Sequence, residues 1–396
     1  MEKDLVGNIE QVKSSRFKPD SITIFLVAFY FVLSAFEQYY QSFTGPLTRY
    51  YLVFLILVLL LSYKKVRFGG IQFLMIFWLL FKFLSATWAP YNYNDVFSRH
   101  LFSQIGMVGL FVVLSIESFD KNSVNKLVEV LLYSSIVMGI LTMFFAKPFV
   151  GEDARLAVSL FGTQEDPNNL AAIYLIGITI ALYFAFFERK QIIFNTVFAG
   201  INSFALGMTG SRAGLISLVA VIFSIAFLSN KKYTIKNTLK RLFYISIILL
   251  FLYLLASKFL PEAAYERLFV EDYSAGGWSN RDVLWNKGFD LIKLKPIFGW
   301  GWGYVEAVHN TLITMLIDVG VFGTLIFIVI LGKIIFDGIR IKKPLVVMLL
   351  VAGLIPALSI DAINKRFFWN GIIMSFMVLN AYKNDFEKEK EVVKYD

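Results

Sequence analysis

Residues Trp278–Gly323 read WSNRDVLWNKGFDLIKLKPIFGWGWGYVEAVHNTLITMLIDVGVFG. The first part is polar and holds Arg281, Asp282, Glu306 and His309, one of only two histidines in the chain. From Thr311 onward the chain turns apolar, and Asp318 is the one charge before Leu331. An apolar run of roughly 20 residues matches the hydrocarbon thickness of a bilayer. Charged groups gathered where such a run begins are costly near lipid and usually mark a site.

The same pattern repeats along the whole chain. Of 396 residues 57% are hydrophobic and 17% charged, and mean hydropathy is +0.65. A soluble domain would carry about 25% charged residues. The apolar runs are continuous rather than alternating, which favours helices over a closed barrel. The expected fold is an all-α integral membrane protein, one polytopic domain over 1–396. Twelve spans fit, with cores near 21–38, 47–62, 70–88, 101–116, 127–146, 169–187, 191–209, 213–229, 242–260, 311–331, 344–360 and 367–382. The first run has no small-residue cleavage site and reads as a span rather than a cleaved signal.

Basic loops at Lys64-Lys65-Val66-Arg67, Arg189-Lys190, 230–241 and 333–343 all fall on one side if both termini are cytoplasmic. Positive charge on cytoplasmic loops sets topology, so the net charge of +9 needs no nucleic-acid partner. The Glu/Lys-rich tail 384–396 reads as a solvated cytoplasmic end. This orientation places 90–99, 147–168 and 258–310 outside, the last as a large, partly helical loop before the tenth span. Arginine is enriched over lysine on that side. Its planar fork grips phosphate or carboxylate with two bonds, which points to an anionic ligand on the outer face. The chain has no cysteine, so disulfides, thiolate catalysis and zinc-thiolate sites are excluded. Two histidines are too few for a histidine-rich metal site.

In the large loop, Ser279 followed by Asp282 resembles a helix-opening capping box. Leu284, Leu291 and Ile292, with Gly288 between, form one face suited to the membrane interface, and Pro296 ends the helix. Trp300 and Trp302 suit the headgroup layer and read as interfacial anchors. Asn310 is a good N-cap for the tenth span, and the following N–H groups favour an anion. His309 can take a proton near neutral pH. Arg212 stands in Gly210-Ser211-Arg212-Ala213-Gly214 at the outer junction of spans seven and eight. Arg155 precedes Asp166-Pro167-Asn168-Asn169, whose turn opens span six, and its loop has the length of a lid. Glu152, Asp153, Glu165 and Asp166 read as solvated. Lys365 and Arg366, at the outer end of span twelve, are further anion candidates. Lys82 and Asp318 are intramembrane charges that need a partner or water.

Taken in order, Arg155 with Pro167-Asn168-Asn169, the GSRAG motif, Arg281-x-x-x-Trp285, KPIFGWGWG and HNTLITMLIDVGVFG resemble the O-antigen ligase/polymerase family of the bacterial envelope. These motifs spread from about 155 to 325. The N-terminal third is similar only in hydropathy. The resemblance implies a glycosyltransferase of the cytoplasmic (inner) membrane, acting at its outer face. It would use an undecaprenyl-diphosphate-linked oligosaccharide, without nucleotide sugar, metal or other cofactor. By the same resemblance Arg212, Arg155 and Arg281 bind the donor diphosphate and His309 orients or deprotonates the acceptor hydroxyl. Asn310, Trp285 and Arg366 are supporting candidates. The acceptor divides two readings. A polymerase joins lipid-linked repeat units of O-antigen or capsule, beside a chain-length regulator and a repeat-unit flippase. A ligase moves finished glycan to a lipid A core or a protein. A flippase or other transporter would show repeated halves and interrupted helices meeting at mid-membrane. The sequence shows neither an internal repeat nor interrupted helices, and its charged cluster lies outside.

Overall fold

The computed structural model describes residues 19–63, 68–90, 94–116, 119–150, 152–228, 234–270, 281–304 and 308–392. The Lys64–Arg67 loop, Asn230, the Ser279 cap and the last four residues of the tail lie outside them, as do the side chains of Glu152 and Asp153. A helix stands at each of the twelve apolar stretches: α1 (Ser21–Thr44), α2 (Leu47–Ser62), α3 (Gly70–Ser85), α4 (Asn94–Ile116), α5 (Lys121–Phe145), α6 (Pro167–Phe186), α7 (Ile192–Met208), α8 (Arg212–Leu228), α9 (Ile235–Phe259), α12 (Thr311–Arg340), α13 (Pro344–Ala357) and α14 (Arg366–Val392). Between α9 and α12 lie two shorter helices, α10 (Glu262–Phe269) and α11 (Arg281–Leu294). Among the described residues, six helices are long and apolar enough to cross a membrane by themselves: α1, α3 with its 3₁₀ extension, α5, α6, α9 and α12.

Burial sorts these helices. A helix that is apolar all round belongs in an interior. α6 meets that condition and is buried along nearly its whole length, packed by α5, α7, α8, α13 and α14. α9 is as apolar, yet Phe243, Leu250, Phe251 and Leu254 on it are all exposed. Apolar surface on that scale is stable against lipid and not against water. The chain is a multi-pass membrane protein.

One element departs from the all-α expectation. Residues 146–164 form a small antiparallel sheet of β1 (Ala146–Phe149), β2 (Glu152–Leu160) and β3 (Thr163–Gln164), in the order β1-β2-β3. Ala146 pairs with Val158 and Lys147 with Ala157. The alternation in Arg155-Leu156-Ala157-Val158 is too short to stand out beside twelve apolar helices. It makes the expected lid a hairpin, with Arg155 fixed on its long strand.

Against the expectation of uninterrupted helices, α12 is broken at Gly320, whose φ of 63° and ψ of −170° are not helical. The broken turn takes in residues 296–303. Trp300 N–H donates to Ile317 O at 2.7 Å and Gly301 N–H to Asp318 O at 3.0 Å. In return Val321 N–H donates to Pro296 O at 2.8 Å and Phe322 N–H to Ile297 O at 3.1 Å. Backbone groups freed inside a bilayer must find partners within the protein, and here each side of the break satisfies the other. The glycines of FGWGWG allow this approach: a Cβ at Gly301 (φ 102°) would lie 2.4 Å from Ser85 O. The tryptophans are therefore not headgroup anchors. Trp302 is buried, and Trp300 stacks on Tyr304 while its Nε1–H donates to Leu291 O at 2.8 Å. The apolar face of α11 is likewise turned onto protein: Trp285, Leu291 and Ile292 pack against Val308, Ile313 and Ile317.

Candidate active site

His309 and Asn310 open α12. Asn310 caps it as its residue type predicts, its Oδ1 accepting from Leu312 N–H at 3.0 Å and Ile313 N–H at 3.1 Å. His309 is exposed and sits in the left-handed region with φ 53°, a conformation that histidine tolerates better than most side chains. Its N–H donates to Asp361 Oδ2 at 3.0 Å, and the Thr314 hydroxyl is bonded to Asp361 Oδ1. Asp361 was not among the expected site residues. It lies in the 358–366 connection between α13 and α14, where one acid gave no signal beside the Lys365-Arg366 pair.

That connection is anchored from several helices. Asn310 Nδ2 donates to Leu358 O at 2.8 Å and the Thr311 hydroxyl to Ile360 O at 2.7 Å. Gln104 of α4 donates to Asn364 Oδ1 at 2.5 Å, and Asn364 Nδ2 meets His100 Nδ1 at 3.1 Å. Arg366 is committed to Glu37 of α1, so its guanidinium braces the bundle instead of awaiting an anion. An alanine at Asp361 would leave the His309 N–H and the Thr314 hydroxyl without acceptors. We expect Asp361→Ala to destabilise the protein by about 1–3 kcal/mol, read as a lower thermal midpoint in detergent; an unchanged midpoint would contradict these bonds.

A second group forms around α10. Arg155 on β2 is 6% exposed. Its Nη2 lies 4.0 Å from Asp166 Oδ1, and its guanidinium stands over Phe149. Asp166 caps α6, accepting from Asn168 N–H at 2.7 Å, and Asn168 Oδ1 accepts from the Ser211 hydroxyl at 2.9 Å. Arg212, next in sequence, donates from Nε to Arg267 O of α10 at 3.0 Å. α10 packs on both β2 and α7, and so ties Arg155 to Arg212.

Glu165 stands at the seam of the two groups and is not the solvated acid that its loop suggested. It is half-buried, accepting from Asn169 Nδ2 at 2.7 Å and from Asp166 N–H at 3.1 Å. Lys365, from the connection that holds Asp361, lies within electrostatic reach of it. Burial pushes its carboxyl above the usual range, outweighing the hydrogen bond from Asn169 and the charge of Lys365. Its ionised form is thus penalised in the folded state relative to the unfolded one, where the pKa is about 4.3. The relative stabilisation is complete below that value and is lost as pH rises through the folded pKa. Glu165→Gln should therefore raise the thermal midpoint at pH 7–8 and lose that advantage near pH 4; a gain that does not depend on pH would contradict the assignment.

Of the sequence-derived candidates, the structure thus joins His309 to Asp361 and Asn310 to the same connection, and brings Arg155 and Arg212 to opposite sides of α10. It places Arg281 and Trp285 on α11, the helix packed along the first turns of α12, and assigns Arg366 to a structural pair. Together these features define a polytopic helical membrane protein with a histidine group anchored on the 358–366 connection and an arginine group gathered around α10. Residues 194–328 match the family model described as O-antigen ligase. Arg212, Arg281, Trp285, His309 and Asn310 fall inside the matched residues; Arg155, Asp361 and Arg366 fall outside. No curated protein matches the chain.

Proposed function

We propose that the protein transfers glycan from a polyprenyl-diphosphate carrier to the hydroxyl of a second lipid-linked repeat unit, at the outer face of the cytoplasmic membrane. The observation carrying this reading is the exposed His309 at the start of α12, whose backbone is held by Asp361 of the 358–366 connection. Arg212, Arg155 and Arg281 hold the donor diphosphate. The acceptor hydroxyl meets His309, which orients it or takes its proton. The hydroxyl oxygen attacks the anomeric carbon as the carbon–oxygen bond to the diphosphate breaks. The negative charge that develops on the leaving group is met by guanidinium groups, the type of stabilisation that contributes most in such sites. Direct attack by a hydroxyl implies inversion at the donor carbon. Both termini are cytoplasmic in this reading, and a repeat-unit flippase and a chain-length regulator are its natural partners.

A second reading, transfer of finished glycan to a lipid A core or a protein, is favoured by the description of the matched family as O-antigen ligase. Proteoliposomes supplied with a lipid-diphosphate repeat unit as both donor and acceptor separate the two. A product ladder is expected for the polymerase, whereas absence of product until another acceptor is added would establish the ligase. EDTA is expected to leave the rate unchanged, since arginines supply the positive charge. A loss restored by magnesium would contradict that part of the proposal.

A further inference from the structure

Lys82 and Asp318 are two buried charges that no step above uses. Lys82, on α3, is fully buried, and its Nζ lies 3.5 Å from Asp318 Oδ2. The ammonium faces the Trp302 ring at 4.9 Å and the Trp78 ring at 5.6 Å. Trp302 belongs to the turn that fills the break in α12. Its N–H donates to Ser85 Oγ at 3.0 Å, and that hydroxyl donates to Lys82 O at 2.7 Å. Gly301 N–H, from the same turn, donates to Asp318 O at 3.0 Å.

Asp318 lies one helical turn from Thr314, on the same face of α12. The Thr314 hydroxyl is bonded to Asp361, which accepts the His309 N–H. The Asp361 carboxylate is within electrostatic reach of both Lys82 and Asp318. One cation thus pairs with Asp318 and lies within reach of Asp361, the carboxylate that accepts from the backbone of His309.

We propose that Lys82 is a positioning residue for glycan transfer, its charge holding Asp318 and Asp361 in place and through them His309. The inference rests on the function proposed above. Without the cation, Asp361 loses the attraction that holds it toward α12 in a weakly screening interior, whether or not residue 318 still carries a charge to repel it; where it does, Asp318 is also left buried without its partner. Asp361 is the one of the two that can turn away, because it stands on a connection and not within a helix. His309 then loses the acceptor that fixes its left-handed backbone.

A purely structural role predicts that a neutral, well-packed replacement restores everything, since buried pairs can often be replaced without loss of stability. The test is transfer from a lipid-diphosphate-linked repeat unit in proteoliposomes by the double variant Lys82→Met/Asp318→Asn. It should fold with a thermal midpoint close to wild type and keep the donor KM. Its kcat should fall on the order of tenfold to a hundredfold, the scale of a small misplacement at the reacting centre. Lys82→Arg, which keeps the charge, should retain most of kcat, whereas Lys82→Gln, similar in length but neutral, should lose it at unchanged KM. Wild-type kcat in the double variant, or equal kcat in Lys82→Arg and Lys82→Gln, overturns the proposal. His309→Ala separates this failure from that of the functional reading. If it transfers at the wild-type rate, the functional reading fails; if it is inactive while the double variant is fully active, only the role of Lys82 fails.

Discussion

An alanine at Gly320 is expected to unseat the turn 296–303 and abolish activity. Gly320 has φ 63°, and a Cβ there would stand 2.2 Å from Ile297 O. The contact is with backbone and cannot be relieved by a side-chain rotation. The four hydrogen bonds that join the broken turn of α12 to residues 296–301 all lie within a few residues of this clash. Backbone strain and overpacking together should cost on the order of 3 kcal/mol or more. The loss would appear as a much lower thermal midpoint in detergent and as weaker membrane accumulation. Trp302 would leave the Lys82 ammonium, and Gly301 N–H would leave Asp318 O. A Gly320→Ala protein with the wild-type midpoint and activity would contradict the closed arrangement of break and turn.

Replacing His309 by alanine is expected to stop transfer without loosening the fold. Asp361 binds the backbone N–H of residue 309 and not its ring, and alanine keeps that donor. The imidazole is exposed and projects from the start of a helix whose cap is made by Asn310. Losing a group that orients the acceptor or takes its proton should lower kcat by about 100-fold to 10,000-fold. The proposed function gives donor binding to the arginine group, so donor affinity should be unchanged. A His309→Ala protein with wild-type kcat would remove His309 from the mechanism, and one that fails to fold would show that its side chain is structural.

The helices were legible because a bilayer span has one strong signal: about 20 apolar residues between polar ends. The caps were legible for a local reason, since Asn310 and Asp166 bond to N–H groups two or three residues away. Residues whose role depends on distant parts of the chain were not. Asp361 is separated from His309 by two helices, and no local pattern connects them. The tryptophans of FGWGWG looked like interfacial anchors because an exposed and a docked indole have the same sequence. The deciding residue is Gly320, whose positive φ opens the helix that the turn fills. Arg366 carried the chemistry of an anion site, but Glu37, far back in α1, had already taken it. Glu165 sat among acids in a loop and gave no sign of burial, which comes from the packing of the hairpin against the bundle.

In the proposed function, His309 and the arginine group act at one centre with separate tasks. The measurement that tests this most directly compares His309→Ala with Arg212→Ala in proteoliposomes, recording affinity for a lipid-diphosphate-linked glycan and its rate of transfer. The expected result is a split: His309→Ala binds the donor as wild type does and transfers nothing, while Arg212→Ala loses donor affinity. Wild-type transfer by both variants, or undiminished donor affinity in Arg212→Ala, would contradict the account.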